Sequence, residues 1–175
     1  YYYKFFDKNK YQHLKLQAQI RLNTDTFKRD YENIIYDILE NIKNKTTLNF
    51  LHSGHCGDLV YALPVIKELS KNHKCNLYIR SNKVMSFFYY KHPAGKVYID
   101  DRILSLFLPV LKNQNYINIA EKYSEQEIDI DLDLFRKLPV NILYNSPRWY
   151  FHICGIQVDL SKPYKGNIPK KTISP

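Results

Sequence analysis

The residues best suited to chemistry form a short turn that ends in a carboxylate. The turn at 53–58 reads Ser-Gly-His-Cys-Gly-Asp and lies between an apolar run and a helical pattern. A carboxylate at the start of a helix faces free backbone N–H groups and the positive end of the helix dipole, an interaction worth about 0.3–1 kcal/mol. Asp58 is therefore expected to be ionised and able to accept a proton, and Gly54 and Gly57 let the backbone approach a ligand closely.

A strand before this turn, a helix after it and a second strand after the helix are expected to position it. Residues 46–51 read as a short buried strand, and apolar residues from Leu59 to Leu69 recur at helical spacing. Residues 75–80 read as a second strand. Strand, glycine turn, helix and strand within about thirty residues form a βαβ unit, which implies a parallel sheet. The pattern predicts an α/β, Rossmann-like fold with helices on both faces of the sheet.

The rest of the chain supplies further elements of both kinds. A mostly helical extension is expected over residues 1–45, with an amphipathic helix at 25–44. Asp100 or Asp101 can cap a helix, and Ser146-Pro147 can start another that Gly155 ends. Strands or extended segments are predicted near 116–120 and 128–133.

The stretch from Gly57 to Pro64, Gly-Asp-Leu-Val-Tyr-Ala-Leu-Pro, closely resembles the signature of glycosyltransferase family 9, the heptosyltransferase-like enzymes. In that family Gly-Asp, two aliphatic residues, a variable residue, a small residue, Leu or Thr, and Pro open the first helix of the N-terminal domain. Gly54 and Cys56 depart from the pattern, which often has Ser and Leu at these positions. The resemblance covers about two thirds of the chain, and the eight-residue signature is its specific part.

The resemblance implies a GT-B architecture, in which two Rossmann-like domains face each other across a cleft. Residues 46–164 would then be the acceptor-side domain, and 165–175 would be a linker toward a C-terminal domain that binds the nucleotide-sugar donor. The implied reaction transfers a sugar to a glycan or lipid-linked acceptor without a metal or a bound cofactor. An isolated acceptor-side domain is expected to be inactive.

The resemblance also implies roles for individual residues. The aspartate of the Gly-Asp pair is the general base proposed for the family, so that role falls on Asp58. The acceptor side is expected to be shaped by Gly54, His55, Gly57, Tyr61 and Arg80. Arg80 could grip a phosphate or carboxylate from the end of the second strand, or form an ordinary surface salt bridge.

Several of these residues allow a second interpretation. Asp58 could be a helix cap without chemistry, because capping and binding coexist at such turns. His52, His55 and Cys56 could ligate a metal, but no second Cys/His cluster completes a site. Asp129, Asp131 and Asp133 would share one face of a strand and could bind a divalent cation, although an exposed strand with its apolar side inward accounts for them as well.

The charge and the cysteines limit the class of protein. The net charge of +9 is compatible with a phosphorylated substrate or with peripheral contact with an anionic membrane. The lysines are scattered and form no dense basic block with interleaved aromatics, so no nucleic-acid partner is expected. Three unevenly spaced cysteines favour a reducing, cytoplasmic location.

Two other classes of protein compete with the transferase. A half-domain of the same fold could bind a sugar or a protein without turnover. An unrelated nucleotide binder is disfavoured because the Gly-x-Gly-x-x-Gly fingerprint does not follow the first strand.

Overall fold

The computed structural model of the protein describes residues 25–85, 95–136 and 146–156. The predicted extension up to residue 24 and the predicted linker at 165–175 lie outside the described residues. The predicted helix at 25–44 is confirmed and ends two residues earlier, so that α1 comprises Asp25–Ile42. The division of the chain into domains stays a prediction.

A parallel sheet of four strands forms the centre of the described part of the chain. The strands are β1, Thr47–His52; β2, Lys74–Ile79; β3, Ile119–Lys122; and β4, Ile130–Asp131. Their order across the sheet is β3-β2-β1-β4, and all the pairs are parallel. The prediction of an α/β, Rossmann-like fold is confirmed.

Helices connect and cover these strands. They are α2, Cys56–Leu69; α3, Asp101–Lys112; α4, Ser146–Ile153; and a 3-10 helix, Leu132–Arg136. Asp100 caps α3 as predicted, because its Oδ1 accepts a hydrogen bond of 2.7 Å from the backbone N–H of Ile103. None of the helices in the described residues combines the length and the apolar character that crossing a bilayer requires.

The predicted extended segment at 128–133 is wrong at Leu132 and Asp133. Only Ile130–Asp131 pairs with β1, and the chain then turns into the 3-10 helix. Asp131 favours this turn, because its Oδ1 accepts a hydrogen bond of 2.9 Å from the N–H of Asp133. The period of two that indicated a strand therefore ends at β4.

One face of the sheet carries the apolar core. Alternate residues of β1 and β2 point to this face and are almost fully buried; they are Leu48, Phe50, Cys75, Leu77 and Ile79. Residues of all four α-helices join the same cluster, including Ile38 and Ile42 of α1. The helix before β1 therefore packs on the core that holds the sheet.

The other face of the sheet carries a row of hydrogen-bonded amides. Asn76 donates from Nδ2 to Oδ1 of Asn49 at 2.9 Å, and Asn118 donates to Oδ1 of Asn76 at 2.8 Å. Asn49 in turn donates to the backbone carbonyl of Glu127 at 2.9 Å. The row crosses β1 and β2 and reaches the residue before β3, so these polar side chains satisfy one another.

The end of α4 is tied to α1 by a glycine. Gly155 has φ +62, and the N–H of Ile156 donates to the carbonyl of Phe151 at 3.0 Å, which is the pattern of a left-handed helix cap. A Cβ at position 155 would lie 2.9 Å from a methyl carbon of Leu39. The glycine therefore allows both the turn and the close approach of α1.

We expect Gly155→Ala to lower the free energy of unfolding by about 1–3 kcal/mol, because alanine is strained at positive φ and its methyl group meets Leu39. Gly95→Ala is the control, since Gly95 has φ +89 and open space around its Cβ position. Urea denaturation should show the larger loss for Gly155→Ala. Unchanged stability of Gly155→Ala would show that the left-handed cap is not required.

Candidate functional site

The strand order reverses beside β1, and open α/β sheets have a crevice at such a point. The chain leaves β1 toward β2 and β3 and then returns to β4 on the other side of β1. In open α/β sheets, ligands bind beyond the carboxyl ends of the strands where the order reverses in this way. The turn at 53–55 and the 3-10 helix Leu132–Arg136 follow the two strands that flank this point.

The turn after β1 is built around a buried histidine. The Nδ1 atom of His52 lies 2.8 Å from the backbone N–H of Gly54, which donates to it. The Nε2 atom lies 2.9 Å from the hydroxyl of Tyr150 in α4. Because Nδ1 accepts a hydrogen bond, the proton of the neutral ring is on Nε2 and points to Tyr150.

Burial keeps His52 neutral. Loss of water around the ring lowers the pKa of His52 to about 3, although the negative charge of Asp133 acts in the opposite direction. Burial likewise raises the pKa of Tyr150 above its usual range. The pair thus holds the turn through a neutral hydrogen bond rather than through charge.

Asp58 belongs to a capping box at the start of α2. The N–H of His55, the N-cap residue, donates to Oδ2 of Asp58 at 3.1 Å, and the His55 side chain accepts from the N–H of Asp58. The ring of His55 meets Tyr98 edge-on, with centroids 5.3 Å apart. The side chain of Asp58 remains 31% exposed. The structure therefore gives Asp58 a capping role and an open face at the same time.

Arg136 connects Asp58 to a second carboxylate. Its Nη2 donates to Oδ2 of Asp58 at 2.9 Å, and its Nη1 donates to Oδ1 of Asp133. The guanidinium carbon also lies 4.7 Å from the ring centre of Tyr98 and 4.3 Å from that of Phe135. The arginine is therefore fixed between two carboxylates and two aromatic rings.

Asp133 is buried and ionised. It accepts hydrogen bonds from the N–H and the hydroxyl of Ser53, and it pairs with Nζ of Lys83 at 2.9 Å and with Arg136. Burial by itself would raise the pKa of Asp133, but the hydrogen bonds from Ser53 and Lys83 and the charge of Arg136 lower it to about 2. We call Asp58, Asp133, Arg136 and Lys83 the charge cluster; it contains two negative and two positive side chains.

The two glycines of the turn have different surroundings. A Cβ at Gly54 would lie 2.5 Å from Oδ2 of Asp58 and 2.7 Å from Nη2 of Arg136, whereas nothing lies within 4 Å of a Cβ at Gly57. The space beside Gly54 is thus filled by the charge cluster of the protein itself. The space beside exposed Gly57 is open to a ligand.

The predicted site residues do not all meet. His55, Gly57 and Asp58 share the first turn of α2, and Tyr61 follows one turn later with 46% of its surface exposed. Arg80 follows β2, where its guanidinium carbon lies 4.8 Å from the ring centre of Tyr123. That contact turns Arg80 toward the segment after β3. Its role in binding an acceptor stays a prediction.

Sequence reasoning missed Arg136, Lys83 and the position of Asp133. The spacing of Asp133 and Arg136, three residues apart, could have indicated a charge pair on one turn. Nothing in the sequence pairs Arg136 with Asp58, which is 78 residues away.

The three aspartates that were expected to share one face of a strand point to different partners. Asp129 pairs with Lys45 and accepts from the N–H of Asn49, Asp131 accepts from the N–H of Asp133, and Asp133 lies in the charge cluster. The interpretation as an exposed strand is wrong for Asp129 and Asp133, whose side chains are 5% and 3% exposed. Among the described residues, no group of three His, Cys, Asp or Glu side chains could hold a metal ion.

Comparison with known proteins identifies no relative of this chain. No family model, no curated protein and no solved structure matches the chain. The geometry of the charge cluster and the resemblance of residues 57–64 are therefore the features that bear on function.

We expect Gly54→Ala to lower the free energy of unfolding by about 1–3 kcal/mol, because its methyl group would overlap Asp58, His52 and Arg136. Gly57→Ala is the matched control, since its methyl group meets open space in the same turn. It should be neutral, or stabilising by up to about 1 kcal/mol, because alanine favours a helix. Equal stability of the two variants in urea denaturation would contradict the packing described for Gly54.

The pH dependence of stability should reveal His52. Its pKa of about 3 in the folded protein is below the value of about 6.5 expected when unfolded, so the unfolded chain gains the proton first as the pH falls. The stabilisation is complete above pH 6.5 and is lost toward pH 3. Between pH 6.5 and 4.5 the protein should lose on the order of 2 kcal/mol more than His52→Gln does.

Unfolding midpoints in urea at several pH values measure this difference. Asp133 contributes little to it, because its pKa of about 2 places its own loss of stabilisation below about pH 4. Parallel pH profiles for the protein and His52→Gln would mean that His52 is not held neutral.

Proposed function

We propose that the chain is the acceptor-side half of a glycosyltransferase with a GT-B architecture, with Asp58 as its general base. The proposed reaction transfers a sugar from a nucleotide-sugar to a hydroxyl of a glycan or lipid-linked acceptor. A second domain would supply the donor site. The proposal includes no metal ion and no bound cofactor.

One observation carries this proposal: a partly exposed carboxylate lies where the strand order reverses. Asp58 is in the first turn of α2, the helix that follows β1, and the position beside Gly57 is open. Ligands of open α/β sheets bind at such a crevice. The resemblance of residues 57–64 to the family 9 signature independently assigns the catalytic proton transfer to the same side chain.

The chemistry needs a base at this place. The acceptor oxygen forms a bond to the anomeric carbon of the donor sugar, while the bond from that carbon to the nucleotide phosphate breaks. The hydroxyl proton passes to Asp58, and the electron pair of the broken bond leaves with the nucleotide. A positioned base typically contributes about a hundred- to ten-thousand-fold to such a rate.

The acceptor would lie along the start of α2. His55, Gly57 and Asp58 form its first turn, and Tyr61 extends the same surface with an exposed ring. An exposed tyrosine offers an apolar face and a hydroxyl, a combination suited to a sugar ring. The net charge of +9 would favour an acceptor that carries phosphate, or one held at an anionic membrane.

A second candidate is a half-domain that binds a sugar or a protein without turnover. The observation in its favour is that Asp58 already has structural partners, since it caps α2 and pairs with Arg136. These contacts account for the position of the carboxylate without any reaction. The two candidates differ in the effect of removing the Asp58 charge.

We expect Asp58→Asn in the full-length protein to lower the turnover of sugar transfer by about a hundredfold or more, because the amide cannot accept the proton. The measurement is release of the nucleotide from a panel of nucleotide-sugars in the presence of acceptor extracts. Asp101→Asn is the matched control. Asp101 lies in the first turn of another helix, α3, and pairs with Lys122 at 2.7 Å.

Near-normal turnover of Asp58→Asn would exclude Asp58 as the base. If neither the protein nor the variant transfers sugar but both bind the acceptor, the second candidate is supported. Thermal unfolding of both variants distinguishes lost chemistry from lost folding.

A further inference from the structure

We infer that Arg136 is a positioning residue, which fixes the orientation of the Asp58 carboxylate and thereby selects the oxygen that faces the crevice. The position of this side chain can be measured without any reaction, whereas its catalytic consequence rests on the proposed function.

The cap alone does not fix the carboxylate. The N–H of His55 donates to Oδ2 of Asp58 at 3.1 Å, and one such bond still lets the carboxylate rotate about it. Arg136 donates to the same oxygen at 2.9 Å from another element of the fold. Two donors from different directions restrict the carboxylate to one orientation.

Arg136 can serve this purpose because it is itself held firmly. Its other terminal nitrogen binds Asp133, and its plane packs on Tyr98 and Phe135. Only 21% of its side chain is exposed. A guanidinium group that is fixed in advance loses little conformational entropy when it binds a further carboxylate.

Asp133 holds Arg136 in place from the buried side of the charge cluster. Its hydrogen bonds from Ser53 and its pair with Lys83 connect it to the segments that follow β1 and β2. The orientation of Arg136 is therefore determined by the ends of two neighbouring strands. Movement of the 3-10 helix would break several charged contacts at once.

Gly54 provides the space for this arrangement. Any side chain there would displace Asp58, His52 or Arg136, since a Cβ would lie 2.5–2.7 Å from atoms of all three. The meeting of the arginine and the carboxylate therefore requires a glycine at this position. This requirement for glycine comes from packing, and it is a separate observation from the hydrogen bonds that define the pair.

The arrangement distinguishes the two oxygens of Asp58. Oδ2 accepts both hydrogen bonds, and the described residues donate none to Oδ1. Oδ1 is therefore the oxygen available to an acceptor hydroxyl. Asp58 touches the substrate in this scheme, and Arg136 acts through Asp58.

Nuclear magnetic resonance can test whether Arg136 holds the Asp58 side chain in place. Three-bond couplings from Cγ of Asp58 to its backbone nitrogen and carbonyl carbon report χ1, the torsion that carries the carboxylate toward Arg136. We expect one rotamer in the protein, averaged couplings in Arg136→Gln and an intermediate result in Arg136→Lys. Arg102→Gln is the control, since Arg102 is an exposed arginine on α3, away from the charge cluster. Amide spectra confirm that each variant is folded.

Unchanged Asp58 couplings in folded Arg136→Gln would overturn the inference, because the cap would then suffice. Averaged couplings in Arg102→Gln would also overturn it, since the effect would not be specific to the pair. If Arg136→Gln does not fold, Arg136→Lys decides: couplings that stay as in the protein when the planar guanidinium is lost count against the inference.

Transfer assays on the full-length protein test the catalytic consequence separately. Arg136→Gln should lower kcat about tenfold or more and leave the KM for the acceptor nearly unchanged, with partial recovery in Arg136→Lys. Normal kcat in Arg136→Gln would contradict the inference. Absence of transfer by the unaltered protein would contradict the proposed function, and the couplings would still decide the role of Arg136.

Discussion

A buried carboxylate imposes the main constraint on this structure. Asp133 is a buried charge, and such a charge is strongly destabilising unless it is paired and hydrogen-bonded. Ser53, Lys83 and Arg136 meet this requirement from the segments after β1, β2 and β4. The compensation of this single charge therefore brings the segments after three strands together. Asp58 lies beside these segments and pairs with the same arginine.

The two carboxylates of the charge cluster have different surroundings, which suits them to different tasks. The Asp133 side chain is 3% exposed and has a partner on every side, whereas Asp58 is 31% exposed and lies beside open space at Gly57. Different environments commonly divide a structural role and a chemical role between two acids of the same type. In the proposed function, Asp133 organises the site and Asp58 meets the ligand.

The sequence was sufficient for features that local rules determine. The glycine turn between β1 and α2, the Asp100 cap and the Ser146 start of α4 all follow from residue type and short-range spacing, and the structure has them. The alternation at 128–133 gave a wrong result for Asp133, because the Asp131 side chain closes a turn that ends the strand. The contact between Asp58 and Arg136 depends on the return of the chain to the other side of β1, which no local pattern encodes.

The row of asparagines on the second sheet face has a consequence for how the strands align. A slide of β2 by two residues would preserve the apolar face, so burial alone discriminates weakly against it. Such a slide would place Asn49 opposite Lys74 or Tyr78 and break the amide chain to Asn76 and Asn118. Unsatisfied amides in a partly buried row make that alternative costly. The asparagines thus fix the register of the strands. The strand ends stay aligned, so the residues that follow them remain within contact distance of one another.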